Sequence, residues 1–258
     1  MGDLASTSGS VERSWPLVAA HRGASVTHPE NTLEAFEAAI QAGADLIELD
    51  VRLTADGVAV VSHDAVVEDP AGGHHLIHEQ LLADLRRVRP DIPRLEETLD
   101  LTAGRIGLDL EIKNLPDEPA FDSPRETTAH EVVNLLDDQD RADDILISSF
   151  NWLSIERVRE LAPGIETGFL TPPAIDPAAA LVYVRQHGHR WVLPQAYAMQ
   201  SADEAFVQRA HEDGVLVGTW TVDDPDAMAV LFGTGLDLLI TDDPRTAVRV
   251  RDATRAPR

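Results

Sequence analysis

The 258-residue chain contains no cysteine. That excludes disulfides, thiolate metal sites and a cysteine nucleophile, so the fold must rest on its apolar core alone. Positive charge is scarce: 21 lysines and arginines face 45 aspartates and glutamates, for a formal net charge of -24. Such a surface repels polyanions, so neither nucleic acid nor a stable association with an anionic membrane is expected. An anionic substrate would need a local cation to overcome that field. Long hydrophobic runs are missing too, and residues 1–14 are polar with Ser, Thr and Gly, which reads as a disordered tail on a cytoplasmic protein.

What is present is a hydrophobic content of 43%, enough for one large core. Short apolar runs alternate with longer helical stretches almost from end to end, the pattern of strand-helix units around a parallel sheet. Eight strands are expected, over Leu17–Ala20, Leu46–Val51, Ile106–Ile112, Ile145–Ser148, Glu166–Leu170, Trp191–Leu193, Val215–Trp220 and Leu238–Ile240. Eight units, with no Gly-x-Gly-x-x-Gly after the first, favour a TIM-type (β/α)8 barrel filling one domain over 15–258 against a doubly wound sheet. The first helix is the best signalled: Asn31 with Glu34 makes a capping pattern, Leu33, Phe36 and Ile40 share a face, and Gly43 ends it. A short insertion after the second strand, from His63 to Ala103, is expected above the barrel mouth. Its His74, His75 and His78 sit in a Gly-flanked loop and read as a solvated cluster rather than a second metal site.

Charges fall where a barrel should be apolar. Side chains alternate along a strand, so Glu48 and Asp50 share one side with Leu46, and Asp109, Glu111 and Lys113 share the inward side of the third strand. Three carboxylates at the rim, Glu48, Asp50 and Glu111, need a partner. An all-oxygen set suits Mg2+ or Ca2+ better than zinc; internal salt bridges with Arg or Lys are the alternative. Lys113 is the single lysine, and a compact ammonium fits beside a phosphate oxygen where a planar guanidinium would not. His21 and His63 each close a strand-like run, so two imidazoles reach one rim and can divide acid and base duties near neutrality. Arg22 is placed to clamp a phosphoryl oxygen, Gly23 to let backbone approach closely, and a surface ion pair between Arg22 and Glu30 is the competing use.

Taken together, His21 to Gly23, Pro29 to Thr32, Glu48 to Asp50, His63 and Asp64, and Glu111 to Lys113 resemble the glycerophosphodiester phosphodiesterase family. Ile92 to Leu99, Ser148 to Phe150, Trp220 to Val222 and Thr241 to Pro244 continue the match along nearly the whole chain from Pro16. The resemblance implies hydrolysis of glycerophosphodiesters to glycerol 3-phosphate and an alcohol. It also implies Glu48, Asp50 and Glu111 as metal ligands, His21 and His63 as the acid-base pair, and Arg22 and Lys113 as phosphate contacts. Trp220 would wall the pocket, or simply be core; Glu30 would orient Arg22, or serve the dipole of the first helix. The chain departs from the family at Ala65 to Pro70, where a substrate-contacting arginine is lost, and at Asp223, where asparagine is common. Lysophospholipase D-like or phospholipase C-like action, and a catalytically silent phosphoester-binding module, are the alternative readings.

Overall fold

The computed structural model describes residues 16–69, 71–139, 141–199 and 204–255; the tail expected over 1–14 lies outside them. Eight parallel strands form the barrel: β1 (Leu17–His21), β2 (Leu46–Leu53), β6 (Gly107–Ile112), β7 (Ile145–Ser149), β8 (Glu166–Thr171), β9 (Trp191–Pro194), β10 (Leu216–Thr219) and β11 (Leu238–Thr241). Pairing of β1 with both β11 and β2 closes it. Three further strands, β3 (Ala59–Val61), β4 (Val66–Glu68) and β5 (His74–Leu76), belong to the insertion. Each expected barrel strand is present, with ends that move by one or two residues.

Helices between the strands cover the outside: α1 (Leu33–Ala42), α2 (Leu82–Val88), α3 (Leu95–Thr102), α4 (Thr127–Asp138), α5 (Trp152–Leu161), α6 (Pro177–His187), α7 (Ala196–Met199), α8 (Glu204–Glu212), α9 (Pro225–Gly233) and α10 (Pro244–Arg255). No helix among the described residues is long and apolar enough to cross a membrane.

Inside, Leu17, Ala19, Leu46, Leu146, Leu170, Trp191, Leu193, Leu238 and Ile240 pack into one buried cluster, the filled interior such barrels require. Gly168 and Gly218 flank Leu193 so closely that an added Cβ would sit 2.7 and 2.6 Å from its methyl groups. Their side-chain-free faces make room for this leucine. The outward residues of β2 and β6, such as Ile47, Leu49, Leu108 and Leu110, pack instead on the helices.

The insertion is built on β2. β3 runs antiparallel to the upper half of β2, with Val51 opposite Val61 and Leu53 opposite Ala59. Val60, Val67, Ile77, Leu85 and Ile92 give the insertion its own small core. β4 and β5 form a hairpin in which His74 pairs with Glu68 (3.5 Å) and His75 with Asp69 (3.0 Å). These histidines therefore have separate carboxylate partners. The one group able to hold a metal among the described residues lies elsewhere.

Two details of the first helix differ from expectation. Its N-cap is Thr32, whose hydroxyl accepts from Ala35 N, while Gly43 in the left-handed region ends it as expected. Asn31 does not cap: it has φ +56° and turns its side chain down into the barrel. Glu30 thus lies before the cap and outside the first helical turn, which removes the dipole explanation for it.

Candidate active site

The mouth is assembled from the C-terminal ends of β1, β2, β6 and β11 and from the segment after β3. On β2 and β6 the register sets Glu48 opposite Asp109 and Asp50 opposite Glu111. All four carboxylates are buried: Glu48 4%, Asp50 0%, Asp109 0% and Glu111 6% exposed. Carboxylate oxygens of Glu48, Asp50 and Glu111 lie within 4.8 Å of one another.

Two cations answer them, Lys113 buried and Arg22 partly buried. Lys113 Nζ stands 3.0 Å from Asp50 Oδ1 and 2.6 Å from Glu111 Oε1. Arg22 sets Nε 3.3 Å from Asp50 Oδ2 and Nη1 3.0 Å from Glu30, and its backbone N–H donates to Glu48 Oε2 at 3.0 Å. Of the two uses foreseen for Arg22, the ion pair with Glu30 is present. Asn31 adds a neutral donor, Nδ2 to Asp50 Oδ2 at 2.8 Å.

The balance of charge shows in the acids. Burial raises Glu48 well above the ordinary carboxylate range, and Asp50, Glu111 and Asp109 push it further. Burial also raises Glu111, although Lys113 pulls against it. Asp50 is buried as well, yet Lys113 and Arg22 outweigh that and hold it low. Burial lifts Asp109, one layer deeper, to about 7, with the Ser148 hydroxyl alone near enough to draw it down. Four buried carboxylates face the buried Lys113 and the partly buried Arg22, so full ionisation of the cluster leaves two negative charges that one divalent ion would balance. Oxygen-only donors, short spacing and unbalanced charge together fit a hard dication.

Two imidazoles flank this cluster. His21 is the last residue of β1, and its Nδ1 lies 2.6 Å from Asp242 Oδ1. The Ser25 hydroxyl also touches Asp242 Oδ1, at 3.0 Å. The hydrogen bond from His21 holds Asp242 below the ordinary carboxylate range. An ionised Asp242 can only accept, so Nδ1 carries the proton and Nε2, 4.0 Å from Glu48, is left to face the mouth. His63 follows β3, where Ser62 N donates to Asp50 O at 2.9 Å, and its Nδ1 contacts Asp64 at 2.8 Å. Burial and Lys113 hold its pKa below the ordinary histidine value.

Gly23, between Arg22 and the helix, has φ +87°, and an added Cβ would meet Ala35 of α1 at 2.7 Å. The close backbone approach expected there is to α1. Arg22 itself has φ +56°, a left-handed conformation uncommon outside glycine, held by bonds from its N to Glu48 and from Asn31 N to its O. Trp220 stands just past β10, half-buried, donating Nε1 to Leu193 O (2.9 Å) and meeting Phe150 edge to face at 5.2 Å. Phe150 in turn lies 5.9 Å beneath Lys113 Nζ. Asp223, the departure after Thr221 and Val222, accepts from Thr241 Oγ1 and from Asp242 N, so it braces the segment that carries Asp242.

Sequence reasoning passed over Asn31 and Asp242 as site residues. A signal existed for Asp242, which continues the inward alternation of Leu238 and Ile240 by one more step. None existed for Asn31, whose place in a capping pattern hid it.

A (β/α)8 barrel whose rim gathers buried acids, two histidines, a lysine and an arginine is an enzyme site of the hydrolytic kind. The chain belongs to the glycerophosphoryl diester phosphodiesterase family, whose model matches residues 21–246. It is 30% identical to a glycerophosphodiester phosphodiesterase of Caldanaerobacter subterraneus over 91% of this chain and 97% of that one. Among solved structures it is similar to a putative glycerophosphoryl diester phosphodiesterase of Silicibacter pomeroyi, with TM-score 0.81, 28% identity and coverage of 93% and 94% of the two chains. It is also similar to an Oleispira antarctica phosphodiesterase solved with the product sn-glycerol-3-phosphate, with TM-score 0.79, 27% identity and coverage of 92% and 97%.

Proposed function

We propose that this chain hydrolyses glycerophosphodiesters to glycerol 3-phosphate and an alcohol, using one Mg2+ or Ca2+ ion with His21 and His63 as its acid-base pair. The observation that carries the reading is the excess of buried carboxylate between two anchored imidazoles. Glu48, Asp50 and Glu111 are the residues to hold the ion, which when bound would supply positive charge to the phosphodiester.

Arg22 and Lys113 share the task of binding the phosphoryl oxygens. Arg22 donates from Nη1 to Glu30, its Nε lies 3.3 Å from Asp50 without a hydrogen bond, and Nη2 donates to no described residue, which leaves donors for substrate. Glu30 steadies that guanidinium from outside. One imidazole removes a proton from the glycerol 2-hydroxyl or a water, and the other protonates the departing alkoxide oxygen. Attack by the neighbouring hydroxyl would exploit proximity already present in the substrate and pass through a cyclic phosphate. Phe150 and Trp220 form an aromatic wall beside Lys113, suited to the glycerol carbons.

The direct assay offers glycerophosphocholine and a panel of other glycerophosphodiesters with Mg2+ or Ca2+ and measures glycerol 3-phosphate. Release from at least one is expected; no release from any of them, with either ion, refutes the reading. Asp242→Asn should lower kcat by about 10- to 100-fold with little change in KM, the range for removing a partner that orients a functional histidine. An unchanged kcat in steady-state kinetics would show that His21 does not depend on Asp242.

A further inference from the structure

Beyond Asp50, β2 continues to Leu53, and Arg52 keeps the parity of Glu48 and Asp50. It is 5% exposed, an uncommon place for an arginine in a chain whose basic residues are few. Its guanidinium is fully engaged. Nε donates to the backbone carbonyl of His63 at 2.9 Å and Nη2 donates to the same oxygen. On the other side, Nη1 and Nη2 grip both carboxylate oxygens of Glu118, the second at 2.8 Å. Glu118 lies in the loop that leaves β6 just after Lys113, so one side chain joins β2, the second residue after β3 and the loop after β6.

His63 has three anchors, of unequal strength. Ser62 N on Asp50 O fixes the residue before it. Asp64 holds its ring, but that carboxylate is 78% exposed, where an ion pair contributes little. Arg52 is buried and bidentate on Glu118, the geometry in which charge-assisted bonds are strong and directional. The hold on the His63 backbone therefore rests chiefly on Arg52.

We propose that Arg52, locked by Glu118, is a positioning residue that holds the His63 main chain so that its imidazole faces the mouth. This rests on the acid-base reading of His63. Arg52 touches no reacting atom, and a shift of about 1 Å at such a group can cost on the order of 100-fold in rate.

The test compares Arg52→Ala, Arg52→Lys, Glu118→Gln and His63→Ala in the full chain, measuring kcat, KM, cation affinity by calorimetry and melting temperature. Arg52→Ala should lose about 10- to 100-fold in kcat, with KM and cation affinity within about two-fold, and free guanidinium at non-denaturing concentration should restore part of the loss. Arg52→Lys should recover little, because an ammonium cannot span the carbonyl and the carboxylate together. Glu118→Gln, which keeps the arginine and guards against a misfolded Arg52→Ala, should lose about 3- to 10-fold in kcat with an unchanged melting temperature. A wild-type kcat in folded Arg52→Ala or in Glu118→Gln would overturn the proposal. So would a kcat loss matched by weaker cation binding, since the residue would then act through Asp50. If His63→Ala itself retains wild-type turnover, the acid-base reading is what fails; if His63→Ala is slow and the other variants are not, only the role of Arg52 fails.

Discussion

His21→Ala and His63→Ala are each expected to lower kcat by about 100- to 10,000-fold, the usual contribution of a positioned acid or base. The size of the effect follows from how each ring is held. His21 has Nδ1 committed to Asp242, and His63 has Nδ1 against Asp64, so both rings keep Nε2 for the mouth. Neither imidazole belongs to the carboxylate group proposed to hold the ion, so both variants should keep cation binding, seen as an undiminished thermal shift on adding Mg2+ or Ca2+. The pH profile carries a sign as well. Burial and the Lys113 charge both disfavour the His63 imidazolium, and a dication nearby acts in the same direction. The unprotonated ring therefore persists below pH 6.5, and if His63 is the base the acidic limb of kcat/KM lies below that value. Wild-type turnover in either alanine variant would remove that histidine from the mechanism.

Glu48→Gln should abolish cation-dependent activity while leaving the ion-free protein at least as stable as wild type. Ionisation of Glu48 is disfavoured, by burial first and then by three neighbouring carboxylates. An acid whose folded pKa is raised opposes folding wherever it must ionise, so its neutral isostere relieves strain at neutral pH. The Gln carbonyl can still accept the Arg22 N–H that Glu48 Oε2 now accepts. Wild type at 100-fold over its Kd for the ion should gain about 2.7 kcal/mol, and this increment should vanish in the variant, as activity should vanish from wild type after thorough chelation. The opposite pattern, an ion-free Glu48→Gln that melts lower than wild type and a wild type indifferent to the ion, would mean that these acids serve internal salt bridges with Arg22 and Lys113.

The barrel is legible in the chain because eight apolar runs recur between amphipathic stretches, and strand parity alone turns Glu48, Asp50, Asp109 and Glu111 inward. Gly43 announces the end of α1 because a left-handed residue there costs glycine nothing. The start of α1 is misread by one residue: Asn31 and Thr32 are both good caps by type, and only the tertiary fold, which brings Asp50 within reach, decides which side chain is free to cap. The partnership of His21 with Asp242 spans 221 residues, and that of Arg52 with Glu118 spans 66. Local pattern does not encode such pairings; closure of the barrel between β1 and β11 creates the first, and the path of the loop after β6 creates the second.

The most direct measurement is a crystal structure of the chain grown with Ca2+ or Mn2+, with anomalous scattering used to place the ion. A single peak bonded to carboxylate oxygens of Glu48, Asp50 and Glu111, with the two imidazoles on either side, is the expected result. A map at millimolar ion with no peak among those oxygens, and Lys113 alone bridging Asp50 and Glu111, would contradict it.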